Sequence, residues 1–132
     1  MLTINNKTDY ALIILSQLQN TQGFVPLSQL IERTQLPPRF VARIAADLVK
    51  YKVLVSREGK VGGYHLNKKL TDISLLSFLS IFENPIAVAK CHKEDSECQY
   101  ANLCTHKHLL REKIASVMER ELSRLTVADI IT

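Results

Sequence analysis

Two short apolar stripes, separated by a break of only a few residues, restrict what residues 26–50 can become. Leu27, Leu30 and Ile31 recur at helical spacing in a segment that starts near Pro26-Leu27-Ser28 and ends near Thr34. Val41, Ile44, Ala45 and Leu48 repeat the pattern after Pro37-Pro38, and proline suits the first turn of a helix, where its missing N–H is not needed. The break between them is little more than Gln35-Leu36. Two short helices joined by so tight a turn form a helix-turn-helix. A further helix is expected upstream, from about Thr8 to Gln19. There Ala11, Ile14, Leu15 and Leu18 fall at i, i+3, i+4 and i+7, Asn6 or Thr8 can cap the start, and Asn20-Thr21-Gln22-Gly23 closes it.

The period changes after Tyr51-Lys52. Val53-Leu54-Val55 is short and β-branched, and Tyr64-His65-Leu66 answers it across the glycine-bearing run Arg57-Glu58-Gly59-Lys60-Val61-Gly62-Gly63, the signature of a hairpin. Three helices followed by a basic hairpin make a winged helix. The second half predicts a helix from about Ser74 to Phe82, a polar irregular stretch from Asn84 to Leu103, and one long helix from about Thr105 to Leu125. A short helical turn within Thr126–Ile131 follows. Leu110, Ile114, Met118, Leu122 and Leu125 form a single apolar ridge on the long helix. Such a ridge needs a facing surface. The chain's own winged helix is one candidate; a second copy is preferred, because winged-helix readers usually engage paired half-sites. The expected fold is mainly α with a small β wing: a winged helix-turn-helix DNA-binding domain over residues 1–70, then a loop and a long C-terminal dimerisation helix over residues 71–132.

At 132 residues and 46% apolar, the chain has the size of one domain, or of a small domain with an appendage, and enough apolar side chains for a core. No apolar run reaches the length of a membrane span, and Met1-Leu2-Thr3-Ile4-Asn5-Asn6 lacks a basic-then-apolar signal, so a cytoplasmic protein without membrane contact is expected. Charge is unevenly spread. Residues 1–70 carry 10 Lys and Arg against 4 Asp and Glu, a net of +6, while residues 71–132 carry 7 against 9, a net of −2. A basic front half suits a polyanion partner. Arg39 and Arg43 stand one turn apart on the third helix beside small Ala42 and Ala46, which let a helix approach base edges, and Lys50, Lys52, Arg57 and Lys60 extend the positive surface. The expected DNA contacts are Ser28, Pro38, Arg39, Phe40 and Arg43 in the helix-turn-helix and Arg57, Lys60, Gly62 and Gly63 in the wing. Nothing resembles a nucleophile with its base or a phosphate cradle, so no enzymatic activity is expected.

Cys91, Cys98 and Cys104 stand as C-x6-C-x5-C in a segment that also holds Lys93, Glu94, Asp95 and Glu97. Three thiols cannot all pair within one chain, and this polar stretch offers little core to bury them. A soft metal centre accounts for their clustering. Structural zinc usually uses tighter knuckles, so the wider spacing leans toward an iron–sulfur cluster, with zinc and redox-active thiols as the other readings. His92, His106 and His108 lie nearby, and Asp9 in the first turn of the first helix is a further carboxylate donor, although that position also suits the helix dipole.

Taken together, Leu2-Thr3-Ile4 through Lys7-Thr8-Asp9-Tyr10-Ala11, the Val61-Gly62-Gly63-Tyr64 wing, the three spaced cysteines and the closing Leu125-Thr126-Val127-Ala128-Asp129 resemble the Rrf family of bacterial winged-helix transcriptional regulators, of the IscR and NsrR kind. The Pro85-Ile86-Ala87-Val88 approach to Cys91 is most similar to the branch that regulates SUF iron–sulfur assembly. The likeness spans essentially the whole chain. It implies a homodimer crossing through the long C-terminal helix, a [2Fe-2S] or [4Fe-4S] cluster on Cys91, Cys98 and Cys104, and control of transcription by cluster state at a double-stranded operator. The genes implied are those of iron–sulfur assembly or of a redox or nitric-oxide response, most often under repression. Family members differ in the fourth ligand. A histidine three residues past the last cysteine is here Lys107; an acidic residue of the first helix, supplied by the partner subunit, matches Asp9. Asp9 is preferred over His106. The wing departs from the family's Arg-Gly, because Glu58 precedes Gly59, and Arg57 or Lys60 would have to take over the groove contact. The alternative is a winged-helix regulator without a cluster, sensing oxidants by thiol chemistry or stabilised by zinc.

Overall fold

A computed structural model describes residues 4–83 and 98–131. Helix α1 (Asn6–Leu18) starts two residues before the expected position. Its cap is Asn5, whose side-chain oxygen accepts the Thr8 N–H at 3.0 Å, so that Asn6 and Thr8 fall inside the helix. Its inner face is the expected one, Ala11, Ile14, Leu15 and Leu18, all buried. Helix α2 (Leu27–Thr34) and helix α3 (Pro38–Lys50) are joined through Gln35 in a left-handed conformation, φ 56°, where glycine is the usual choice. Gln35 is held there by its backbone N–H on Ile31 O (3.0 Å) and by its side-chain amide on Glu32 O (2.6 Å).

The far end of α3 also ends on a left-handed residue that is not glycine. Lys52 has φ 61°, its N–H bonds to Val49 O at 3.0 Å, and the next N–H, of Val53, bonds to Leu48 O at 2.9 Å. This pair of bonds is a Schellman turn, and Val53 is buried beside Leu48 as the motif favours. The chain therefore leaves α3 directly into strand β1 (Leu54–Arg57), antiparallel to β2 (Gly63–Leu66), with Leu54 opposite Leu66 and Arg57 opposite Gly63. The hairpin is thus present, shifted one residue later than expected at its start. Val25, in the loop between α1 and α2, adds a bridge to its free edge: Val25 and Tyr64 exchange both N–H···O bonds, at 2.9 and 2.8 Å.

Helix α4 (Leu75–Phe82) begins at Ser74, whose hydroxyl caps the Ser77 N–H. Helix α5 (Lys107–Arg124) begins two residues after the expected Thr105 and ends one residue before Leu125. Its end returns to the start of α4: Leu75 N–H bonds to Leu125 O at 2.8 Å and Val127 N–H to Ile73 O at 2.9 Å. The expected final turn is a 3-10 turn, Val127–Asp129, closed by a capping box between Thr126 and Asp129.

One core joins these elements. Ile14, Leu15 and Leu18 from α1, Leu30 from α2, Val41, Ile44 and Leu48 from α3, Leu54 from β1, Phe78 from α4 and Val127 from the C-terminal turn are all buried together. Each such side chain contributes about 1.5–3 kcal/mol by leaving water. Helix α5 is different: none of its described side chains is buried. Of the expected ridge, Leu122 leans on the core, Ile114 and Met118 are half-buried, and Leu110 and Leu125 remain 39% and 42% exposed. No helix among the described residues is long and apolar enough to cross a membrane.

Two substitutions test this account. Gly63 has φ +138°, and a Cβ there would fall 2.2 Å from Val25 O; Gly59 has φ +104° with nothing within 4 Å. Gly59→Ala should therefore show backbone strain alone, about 1–3 kcal/mol. Gly63→Ala should cost distinctly more and strip amide-exchange protection from Val25 and Tyr64, as thermal melts and hydrogen exchange would report. At the other end, the backbone N–H and hydroxyl of Thr126 hold the Asp129 carboxyl below the usual carboxylate range. Because the folded value is the lower one, this cap stabilises the turn at neutral pH and is lost as pH falls below the ordinary carboxylate value of about 4. Asp129→Asn should remove that acid dependence from the protection of the Val127–Ile131 amides.

Candidate nucleic-acid interface and cysteine segment

With Val41, Ile44, Ala45 and Leu48 buried, the opposite side of α3 is fixed toward solvent. Arg39, Arg43, Ala46 and Lys50 follow one another at three- and four-residue steps along that side, and all are exposed. Three cations separated by one small residue make a positive ridge with a shallow notch. Phe40 adds an apolar contact at the start of the helix: it is 44% exposed, and its ring meets Tyr10 of α1 edge-on, at 5.9 Å and 71°. Ser28 is exposed in the first turn of α2, and Pro38 is exposed at the first position of α3. The helix-turn-helix therefore brings five of the expected residues to solvent on adjacent elements.

The wing treats its expected residues unequally. Lys60 is exposed at the tip. Arg57 also reaches solvent but is engaged: its guanidinium lies 4.3 Å from the centre of the Phe24 ring and donates to Val61 O at 3.2 Å. Phe24 in turn lies 5.7 Å from His65 on the neighbouring strand, so one aromatic ring braces both strands of the wing. His65 Nδ1 is buried there with no hydrogen-bond partner. Gly62 and Gly63 serve backbone approach: a Cβ on Gly62 would fall 2.1 Å from Arg57 O, and one on Gly63 would strike Val25. Phe24 was not singled out from sequence, and Tyr10 only as one residue of the Lys7–Ala11 motif, since isolated aromatic residues carry no spacing signal.

Of the cysteines, Cys91 lies outside the described residues, as does His92. Cys98 and Cys104 are half-buried at the two ends of a pair of consecutive turns. Ala101 N–H bonds to Cys98 O, and the N–H groups of Leu103 and Cys104 share Tyr100 O. Cys104 Sγ lies 3.8 Å from Nδ1 and 3.7 Å from Nε2 of His106, midway between the ring nitrogens rather than on one lone pair. His106 is the residue before α5, and His108 is exposed in its first turn. Asp9 is exposed in the first turn of α1. Among the described residues, no group of three or more His, Cys, Asp or Glu side chains converges on one point. The chemistry of the donor set fits a soft metal centre: two thiols on one pair of turns, an imidazole against one of them, and a third thiol seven residues before Cys98.

The chain is similar to known proteins. The family model described as "Rrf2: Iron-dependent Transcriptional regulator" matches residues 4–132. The transcriptional regulator NsrR of Oceanobacillus iheyensis is 24% identical over 133 residues, which is 98% of this chain and 90% of that protein. The regulator IscR of Photobacterium profundum is 25% identical over 114 residues, 86% of this chain and 65% of its own length. Among solved structures, CymR, the global cysteine regulator of B. subtilis, superposes with a TM-score of 0.72 at 23% identity, covering 99% of this chain and 97% of its own, a likeness of fold. With a helix-turn-helix, a wing braced on the α1–α2 loop and a family match across nearly all of its length, the chain belongs to the Rrf2 family of winged-helix, DNA-binding transcriptional regulators.

Proposed function

We propose that this regulator is an iron–sulfur-dependent repressor of iron–sulfur assembly or of redox or nitric-oxide response genes, and that it acts as a homodimer. The observation that carries the cluster reading is the seating of Cys98 and Cys104 on consecutive turns, with His106 against the second sulfur at the start of α5. Cys91, Cys98 and Cys104 would hold the cluster, with Asp9 of the partner subunit, or else His106, as the fourth ligand. When bound, the cluster supplies a centre that oxygen or nitric oxide can alter. The protein's part is to bring three thiols close together, where as thiolates they would repel one another without a metal's positive charge. The half-exposed ridge of α5, from Leu110 to Leu125, supports the dimer, because two such ridges would cover one another. Two subunits would then present two copies of α3 to a pseudo-palindromic operator. There Ser28, Pro38, Arg39, Phe40 and Arg43 meet the major groove and flanking phosphates, and the wing tracks the backbone through Lys60, while Gly62 and Gly63, expected among the contacts, shape the wing from inside. Arg57 is assigned to bracing the wing through Phe24.

The DNA half is tested with a duplex selected by the protein from a random-sequence pool. Arg43→Ala should cost about 1–3 kcal/mol for the selected site at fixed salt. Lys60→Ala should weaken all sequences alike and reduce the salt slope by about one. An Arg43→Ala protein with unchanged affinity would remove this face of α3 from the interface.

The cluster half is tested by anaerobic purification with visible spectra and iron, sulfide and zinc counts. Wild type should be coloured with stoichiometric iron and sulfide; a colourless protein, with zinc or with no metal, would replace the cluster with the zinc or thiol reading. Cys98→Ala should purify colourless or bleach quickly in air. Asp9→Ala should keep fold and dimer while its cluster decays faster than in wild type, and His106→Ala should behave as wild type. The reverse pattern would place the fourth ligand beside Cys104.

A further inference from the structure

Thr8 is the one fully buried polar side chain among the described residues, and its hydroxyl donates to Glu83 Oε1 at 2.6 Å. The same carboxylate oxygen accepts the Asn5 N–H at 2.9 Å. Asn5, already the cap of α1 through its side-chain oxygen, uses its side-chain N–H to donate to Phe82 O at 2.8 Å, closing the open end of α4. Three hydrogen bonds spanning 75, 77 and 78 residues of sequence thus join the first turn of α1 to the last turn of α4. One of them involves a buried hydroxyl on a carboxylate, the kind of bond whose loss is felt most.

This join lies between the two places where the protein has to communicate. On one side, Glu83 is the last described residue before the stretch of sequence leading to Cys91, eight residues on. On the other, Asp9 and Tyr10 follow Thr8 directly, and Tyr10 rests its ring on Phe40 in the first turn of the recognition helix α3, next to Arg39. Between the two runs α1, a helix pinned on its whole inner face by the core, which moves as one body if it moves at all.

We propose that Asn5, Thr8 and Glu83 are positioning residues for the DNA response: they hold α1, and through Tyr10 and Phe40 the start of α3, to the base of the cysteine segment. Through these contacts a displacement of Glu83 passes by the three hydrogen bonds to α1, and the Tyr10 ring delivers it to Phe40. The inference rests on the cluster reading for its signal, and on the described residues alone for its relay.

The test uses the full-length protein labelled with fluorotyrosine, which gives four resonances, that of Tyr10 being assigned by Tyr10→Phe. Thr8→Val removes the hydroxyl at nearly constant shape, and Thr8→Ser restores it; Glu83→Gln weakens the join from the other helix should Thr8→Val fail to fold by circular dichroism. Thr8→Val is expected to shift the Tyr10 fluorine resonance in the cluster-free protein, while Thr8→Ser leaves it at the wild-type position. In operator binding with the selected duplex, loss of the cluster should change wild-type and Thr8→Ser affinity by about 5–150-fold, the usual range of allosteric coupling, and leave Thr8→Val affinity unchanged. A Thr8→Val protein whose Tyr10 resonance stays in place, or whose affinity responds to the cluster as wild type does, overturns the relay. If wild type carries no cluster, or binds DNA equally with and without it, the cluster reading fails instead, and the Tyr10 resonance still decides whether the join positions α3.

Discussion

The burial of one face of α1 is the constraint on which the other elements depend. Ala11, Ile14, Leu15 and Leu18 meet residues from α2, α3, α4 and the C-terminal turn in a single core, so α1 serves as the spine around which both halves of the chain close. Helix α3 is held rigidly because four of its side chains are locked against that spine. Its outward stripe of Arg39, Arg43, Ala46 and Lys50 is the complement of the inward one. The physics that buries Ile44 therefore also aims Arg43.

The wing is stiffened by contacts that reach beyond its own two strands. Glu58 precedes Gly59 in the wing, and the nearest arginine, Arg57, is folded onto Phe24 and tied to Val61 O. Arg57 consequently stiffens the hairpin, and Lys60 carries the positive charge at the tip. With Val25 bridged to Tyr64 and a glycine at 63 to let the two backbones meet, the wing is braced from the α1–α2 loop as well as through its own pairing.

The second half follows a different logic. Helix α4 belongs to the core through Phe78, and α5 is tethered to it at one end by the Leu75–Leu125 and Val127–Ile73 hydrogen bonds. Along the rest of its length α5 exposes apolar side chains that no other described residue covers fully. The Asn5–Thr8–Glu83 join ties the near end of this half to the front of α1, and Cys104 stands just before α5.

Helix positions, the hairpin, the exposed basic stripe of α3 and the cysteine spacing were legible in the sequence, because each is carried by a local signal: a 3.6-residue apolar period, prolines at a helix start, glycines in a turn, thiols in a polar stretch. Boundaries slipped where the local signal was ambiguous. Asn5, Asn6 and Thr8 are all capping residue types, and only the pairing of Asn5 with both α1 and Phe82 O decides which one caps. The left-handed turns at Gln35 and Lys52 were invisible for the opposite reason: glycine is the expected residue, and long polar side chains took its place. Tertiary structure alone decided that Phe24 captures Arg57, that Val25 joins the wing, that Tyr10 meets Phe40 and that Thr8 finds Glu83. Each of these is one contact between residues far apart in the chain or in separate elements. Such pairs leave no periodic trace in a sequence, because they come into being only when the burial of α1 brings their elements together.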